Sequence, residues 1–366
     1  MKDLRVLVVD DSAINRRMLC ELLTQIAGVQ VVGVAGDGDE ALRLAVSLTP
    51  DLITLDLEMP RMDGFTFLRL LMAARPTPVV VVSSHSAKEN AFRALELGAI
   101  DFVAKPQALL TGQIDSVREQ LVRMVAIVRQ LSPAGISGRS RSSVPPERGP
   151  AERVVLDTRA LPPARTPESV VLSRLVVIAA STGGPTALLD LFSQLPAKSN
   201  VAIVVAQHMP ERFTRAFAER LDRISAFATR EAEGDTLLRP LQALVCPGGK
   251  SIEIEARASG LVARVVDAMA GERYSPSADR LFSSAAKVAG ERTLGIVLTG
   301  MGDDGARGVV EIKNARGTVL AESEDTAVIF GMPRCAQQTG AVDALLPLPE
   351  LIARVAALCA GTPGAA

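Results

Sequence analysis

Only two histidines occur in the 366-residue chain, and one of them, His208, closes the apolar run VAIVVAQHMP. Hydrolysis near neutral pH needs a side chain that moves protons there, and an imidazole is the usual choice. Upstream, LVVIAASTGGP sets Ser181 between a strand-like run and paired glycines. Gly183 and Gly184 let the backbone approach a ligand closely, and the free N–H groups of a following helix can hold an oxyanion. Downstream, GIVLTGMGDDGARG ends a third run with Asp303 and Asp304, either of which could orient the imidazole. Serine, histidine and carboxylate, each after an apolar strand, point to nucleophilic hydrolysis. Each has a plainer use when taken singly. STGGP can be a helix cap with Pro185 in the first turn, His208 a structural histidine, and one aspartate an N-cap. The glycine turn lacks the GxxxxGK[ST] pattern of a phosphate loop.

A second set of chemistry-bearing residues lies near the amino terminus. Asp10 and Asp11 follow LRVLVV, Asp56 follows LITL, Ser83 ends VVVVS, and Lys105 follows DFVA. In a parallel sheet these strand ends converge at one edge. Three clustered carboxylates repel one another unless a cation neutralises them, and an all-oxygen ligand set favours magnesium. A hydroxyl and an ammonium beside such a centre would stabilise a phosphoryl group. The other histidine, His85, reads as a surface loop residue near Ser83.

The elements that must position these groups follow from the apolar pattern. Strands are expected at 4–9, 31–35, 52–55, 79–82 and 101–103, with helices at 14–27, 64–74, 91–97 and 113–130. In the first helix Ile14, Met18, Leu22, Leu23 and Ile26 share one face. Five βα units predict a doubly wound, five-stranded parallel α/β domain over residues 1–130. Proline, serine, glycine and arginine dominate residues 131–170, which cannot bury enough surface to fold and read as a flexible linker. A second α/β domain, over 171–361, has parallel-type strands expected at 175–179, 201–206, 294–298 and 318–321. Between 241 and 266 the runs LQALVCP, SIEIEA and LVARVV, separated by PGGK and ASG, suggest an antiparallel edge on a mainly parallel sheet.

Composition narrows the functional classes. A net charge of −1 gives no reason to expect nucleic acid or an anionic membrane as partner, and no helix-turn-helix pattern is present. The four cysteines are scattered without ligand spacing, so neither zinc nor a disulfide framework is indicated, and free thiols fit a reducing compartment. The start MKDLRVLVVDD reads as a first strand rather than a secretion signal, and no apolar run approaches the length of a membrane span. A cytoplasmic monomer is expected.

These motifs carry two resemblances. VVDDS, LDLEMPRMDG, VVVVSS and AKP resemble the receiver domain of two-component response regulators, over about residues 4–125. The resemblance implies that Asp56 accepts a phosphoryl group from a histidine kinase. It implies that Asp10, Asp11, Asp56 and the backbone carbonyl of Glu58 hold Mg2+. It further implies that Ser83 and Phe102 move on phosphorylation, that Lys105 contacts the phosphoryl group, and that the Lys105–Pro106 bond is cis.

ASTGG, QHMP, SADRLFSSAA, LTGMGDDGA and IFGMPRCA resemble the catalytic domain of chemotaxis protein-glutamate methylesterases, over about residues 173–358. That resemblance implies Ser181 as nucleophile, His208 as general base and Asp304 as the orienting carboxylate, with Asp303 at a variable position. The amides of Thr182 and Met301 are the oxyanion-hole candidates. No cofactor is implied for ester hydrolysis. The implied substrates are glutamate methyl esters and glutamines of methyl-accepting chemotaxis receptors, and the implied control is an unphosphorylated receiver domain that covers the site. The chain departs from the pattern at Lys250, where histidine is frequent, and at Ala179, where glycine is common. Its last residues, GTPGAA, show no receptor-docking peptide.

Overall fold

Runs of β-branched residues alternating with amphipathic segments satisfy their backbone groups most simply as a parallel sheet covered by helices. The computed structural model describes residues 3–83, 88–105, 111–131 and 172–361. It divides into two compact units, Met1–Val144 and Pro145–Ala366. Apart from Leu131, the expected linker lies outside the described residues, as do His85 and Pro106 with its peptide bond.

The first unit alternates β1 (Leu4–Val9), α1 (Ala13–Thr24), β2 (Val29–Ala35), α2 (Gly38–Leu48), β3 (Leu52–Leu55), α3 (Gly64–Ala74), β4 (Val79–Ser83), α4 (Lys88–Glu96), β5 (Asp101–Ala104) and α5 (Thr111–Val128). The sheet order is β2-β1-β3-β4-β5, all parallel. Ser12, Asp37 and Asp63 cap α1, α2 and α3, each side chain accepting from the amide three residues on. The packed face of α1 differs from the expected one. Leu19, Leu22 and Leu23 are buried, while Ile14 is 69% exposed.

The second unit runs β6 (Arg174–Ala180), α6 (Gly184–Ser193), β7 (Val201–Gln207), α7 (Glu211–Ile224), β8 (Ala228–Glu231), β9 (Asp235–Leu237), β10 (Gln242–Val245), β11 (Lys250–Arg257), β12 (Gly260–Asp267) and α8 (Ala278–Ala289). After a 3₁₀ turn come β13 (Thr293–Val297), α9 (Ala306–Asn314), β14 (Thr318–Glu322), α10 (Met332–Gln338), β15 (Ala344–Leu346) and α11 (Leu348–Ala360). Seven parallel strands form the main sheet in the order β15-β14-β13-β6-β7-β10-β8. The α/β class therefore holds in both units, but the antiparallel part is arranged differently from the expectation. β10, the LQALV run, pairs in parallel between β7 and β8. β11, β12 and β9 form a separate three-stranded antiparallel sheet rather than an edge of the main one. Alternation alone does not distinguish the two, because a short half-buried strand alternates in either setting.

β6 and β7 lie at the centre of the main sheet with nearly every residue buried, so they are apolar throughout rather than alternating. Helix α8 adds Phe282, fully buried in the core cluster with Val177, Val297 and Val309. Among the described residues no helix is long and apolar enough to cross a membrane. Phe282→Ala should lower the stability of the second unit by about 3–5 kcal/mol, read as an earlier urea transition in circular dichroism.

Candidate functional site

In a parallel pair, residues in register lie side by side and direct their side chains to the same face. The β6–β7 register matches Ala180 with Gln207. The next residues, Ser181 and His208, therefore leave the sheet together, and His208 N donates to Ala180 O at 2.9 Å. β13 flanks β6 on its other side. Its continuation supplies Thr299, whose carbonyl accepts from Ser181 N at 3.0 Å. The three segments singled out in the sequence thus meet at the carboxyl edge of adjacent strands, where α/β sheets place their sites.

Ser181 is buried but does not cap α6. The cap residue is Gly183, at φ 81°, with no side-chain cap bond and with Pro185 in the first turn. The loop after β13 lies tight against the serine: a Cβ on Gly300 would stand 2.7 Å from Ser181 Cβ. Thr182 is buried and its carbonyl accepts from Thr299 Oγ1 at 2.9 Å, whereas Met301 is half-buried.

Of the two aspartates, Asp304 reaches the imidazole. His208 Nε2 lies 2.8 Å from Asp304 Oδ2, and Asp304 is only 2% exposed. The same carboxylate accepts from Ala278 N at 2.7 Å, Asp279 N at 3.0 Å and Ser277 Oγ at 3.5 Å. It therefore sits at the start of α8, where the unpaired amides favour negative charge. Burial works against ionising Asp304, but the His208 hydrogen bond and charge, with the Ala278 and Asp279 amides, outweigh it and hold its pKa below the ordinary 3.8. An ionised carboxylate only accepts, so Nε2 carries the ring proton and Nδ1 is left as the basic nitrogen. Among the described residues neither the Ser181 hydroxyl nor His208 Nδ1 has a hydrogen-bond partner. Catalytic hydrogen bonds are often loose before substrate binds.

Three supporting residues escaped the sequence reading. Asp279 returns the favour of Asp304: its carboxylate accepts from Arg307 N at 3.0 Å and Gly308 N at 2.9 Å in the first turn of α9, and from Arg307 Nε at 2.8 Å. Gln207, fully buried, donates through Nε2 to Ser181 O at 2.9 Å and to His208 O at 3.0 Å, bracing one segment against the other. Tyr274 stacks on the His208 ring. The SADR and QHM motifs contain the first two, but their partners lie far along the chain, so no local signal assigns their bonds.

In the first unit, Asp10 and Asp56 emerge from paired strands, with Asp56 N donating to Val9 O at 2.9 Å. Carboxylate oxygens of Asp10, Asp11 and Asp56 all lie within 4.8 Å of one another. Lys105 Nζ stands 2.5 Å from Asp56 Oδ2 and 2.8 Å from Asp10 Oδ2. Arg16 Nη1 donates to the Asp10 and Asp11 carbonyls and fixes their loop. Burial raises the Asp56 pKa, and Lys105 offsets this only in part. Burial also opposes the charge on Lys105, but Asp10 and Asp56 reverse that and raise its pKa. Glu58 is exposed and donates its amide to Asp56 Oδ1 at 3.3 Å. Phe102 is buried edge-on against Phe92, with ring centroids 5.9 Å apart. Ser83 ends β4 opposite Ala104. A magnesium ion fits this donor set: three carboxylates face one ammonium, and the buried Asp10 Oδ2 receives no directed hydrogen bond.

Comparison with known proteins gives a family for each unit. The CheB methylesterase family matches residues 176–355, and the response regulator receiver domain family matches residues 6–112. The chain is 50% identical over 358 residues to "Protein-glutamate methylesterase/protein-glutamine glutaminase 6" of Anaeromyxobacter dehalogenans, covering 97% of this chain and 95% of that one. It is 45% identical over 364 residues to enzyme 3 of the same name from Geobacter sulfurreducens, covering 98% of each. The crystal structure of the Thermotoga maritima CheB methylesterase catalytic domain is 34% identical, with a TM-score of 0.50, and matches 51% of this chain and 100% of that one.

Because folding lowers the Asp304 pKa, its carboxylate adds stability that is fully present above 3.8 and is lost as the pH falls through the lower folded value. Asp304→Asn should be less stable than the parent at neutral pH by about 1–3 kcal/mol. The gap should narrow below pH 3.8, measured as urea midpoints across pH.

Proposed function

Because the chain belongs to the CheB methylesterase family and carries a response regulator receiver domain, we propose that it is a phosphorylation-controlled hydrolase of glutamate γ-methyl esters in chemotaxis receptors. It also deamidates receptor glutamines. The receiver domain occupies residues 1–130 and the esterase domain 171–361. One observation carries the reading: a buried carboxylate hydrogen-bonded to His208 at the sheet edge where Ser181 emerges.

Asp304 holds the His208 ring with Nε2–H toward itself, leaving Nδ1 to take the Ser181 proton. Ser181 Oγ attacks the ester carbonyl carbon. The oxyanion that forms is met by the amides of Thr182 and Met301, fixed donors that need no reorganisation. Protonated His208 returns the proton to the leaving oxygen, the carbon–oxygen bond breaks and methanol departs. His208 then takes a proton from water, whose oxygen attacks the acyl carbon; the bond from that carbon to Ser181 Oγ breaks, His208 gives its proton to Oγ, and the glutamate acid ionises into solvent. With a glutamine substrate the leaving group is ammonia. His208 thus relays the protons of Ser181, the leaving group and the attacking water in turn.

In the receiver domain Asp56 is the phosphoryl acceptor, with a histidine kinase as donor. Asp10, Asp11, Asp56 and the Glu58 carbonyl would hold magnesium, which when bound offsets negative charge so that a phosphoryl group can approach. Lys105 steadies the added oxygens, and Ser83 and Phe102 carry the change toward the surface of the domain. Raising an active population from 1% to half takes about 2.7 kcal/mol, within reach of one new charge in such a pocket. The reading sets the enzyme in the cytoplasm, where free thiols persist.

Ser181→Ala should reduce methanol release from methylated receptor membranes by about 10³-fold or more and leave phosphorylation of Asp56 intact. Turnover near the parent rate would reject the nucleophile. A small-molecule phosphodonor with magnesium should raise methanol release by the parent enzyme and leave Asp56→Asn unchanged. An equal rise in both would reject control through Asp56.

A further inference from the structure

Tyr274 is the only tyrosine in the chain, and there is no tryptophan. Its ring stacks on the His208 imidazole, with centroids 5.1 Å apart and planes within 4° of parallel. Three other groups hold it there. The phenol donates to Asp303 Oδ1 at 2.8 Å. Arg273 bonds the same Asp303 oxygen at 3.1 Å, and its guanidinium stands 5.0 Å from the Tyr274 ring centre. Gly302, at φ 104°, leaves room for the phenol, since a Cβ there would stand 2.4 Å from the hydroxyl oxygen. Burial, then the Asp303 bond, raises the phenol pKa, so it remains a donor.

We propose that Tyr274 is a positioning residue for the general base: a ring, anchored by Asp303, that packs on the imidazole face and keeps its Nε2 on Asp304. A histidine bonded through one nitrogen can still swing about its χ2 axis. A parallel ring in contact removes that freedom and excludes water from one face, and a stacked aromatic also favours the imidazolium formed during turnover. The second aspartate of the GDDG run is thereby explained. Asp304 holds the edge of the imidazole, and Asp303 holds the ring that covers its face. This inference rests on the esterase reading, and it concerns activation of Ser181 rather than recognition of the receptor.

The test separates these roles. Tyr274→Leu should lower kcat for methanol release by about 10- to 100-fold, with KM within about twofold. Its rate of inactivation by a small serine-directed phosphonate should fall by the same factor as kcat, because that reagent reads only the activated serine. Tyr274→Phe keeps the ring and should recover most of both rates. Asp303→Asn, which keeps an amide oxygen to accept from the phenol, should likewise retain most of both rates. It should also raise the intrinsic tyrosine emission, which comes from Tyr274 alone and is quenched by a carboxylate partner. Urea midpoints of the variants should match the parent. A raised KM with unchanged phosphonate inactivation would overturn the proposal, since Tyr274 would then be a substrate contact. Unchanged kinetics in Tyr274→Leu, or no rescue by Tyr274→Phe, would also overturn it. A parent enzyme that releases no methanol would overturn the esterase reading and this inference with it.

Discussion

A buried carboxylate is costly to ionise, by several kcal/mol, unless donors surround it, and the second unit is organised around meeting that cost for Asp304. The donors are the first amides of α8 and the His208 ring. α8 must therefore begin at one place. Its own first-turn carboxylate, Asp279, takes the first amides of α9, the helix that starts immediately after Asp304. Two helix starts thus exchange carboxylates, each satisfying the amides the other leaves open. The orientation of the His208 ring consequently depends on helix docking, which is stiffer than a loop. Ser181 and His208 arrive by a separate route, the register of two buried strands, with Gln207 bridging their carbonyls. Rigid elements thus position each member of the site.

Much of this was legible in the sequence because strong local signals happened to be the decisive ones. The apolar runs ending at Val9, Leu55, Ala180 and Gln207 mark strands whose carboxyl ends must carry the chemistry in a parallel sheet. What was not legible depended on partners distant along the chain. STGGP reads equally well as a capped helix start, and only the structure assigns the cap to Gly183 and leaves the Ser181 hydroxyl unused by it. Asp303 and Asp304 are chemically identical neighbours. One is buried under α8 and the other bonds Tyr274, and that difference arises from residues some thirty positions away. The same limit explains β10. Its alternation resembles that of β11 and β12, yet it is drawn into the main sheet by β7 and β8. In α1, period alone placed Ile14 with the core, although its side chain is exposed.

Both units use the same position in a parallel sheet but balance charge there in opposite ways. In the first, three carboxylates face a single lysine ammonium, and Arg16 contacts the loop only through backbone carbonyls. That leaves a net excess of negative charge, so the pocket's state responds to whatever cation or phosphoryl group enters. In the second, the buried carboxylate of Asp304 is matched by four protein donors, so its charge is held by the protein alone. An unbalanced site suits a switch, because adding or removing a ligand changes the local field and the packing that depends on it. On the proposed mechanism a balanced site suits a catalyst, because the donors around Asp304 are already oriented when charge develops on His208. The chain therefore assigns variability to the pocket whose charges do not cancel and constancy to the one whose charges do.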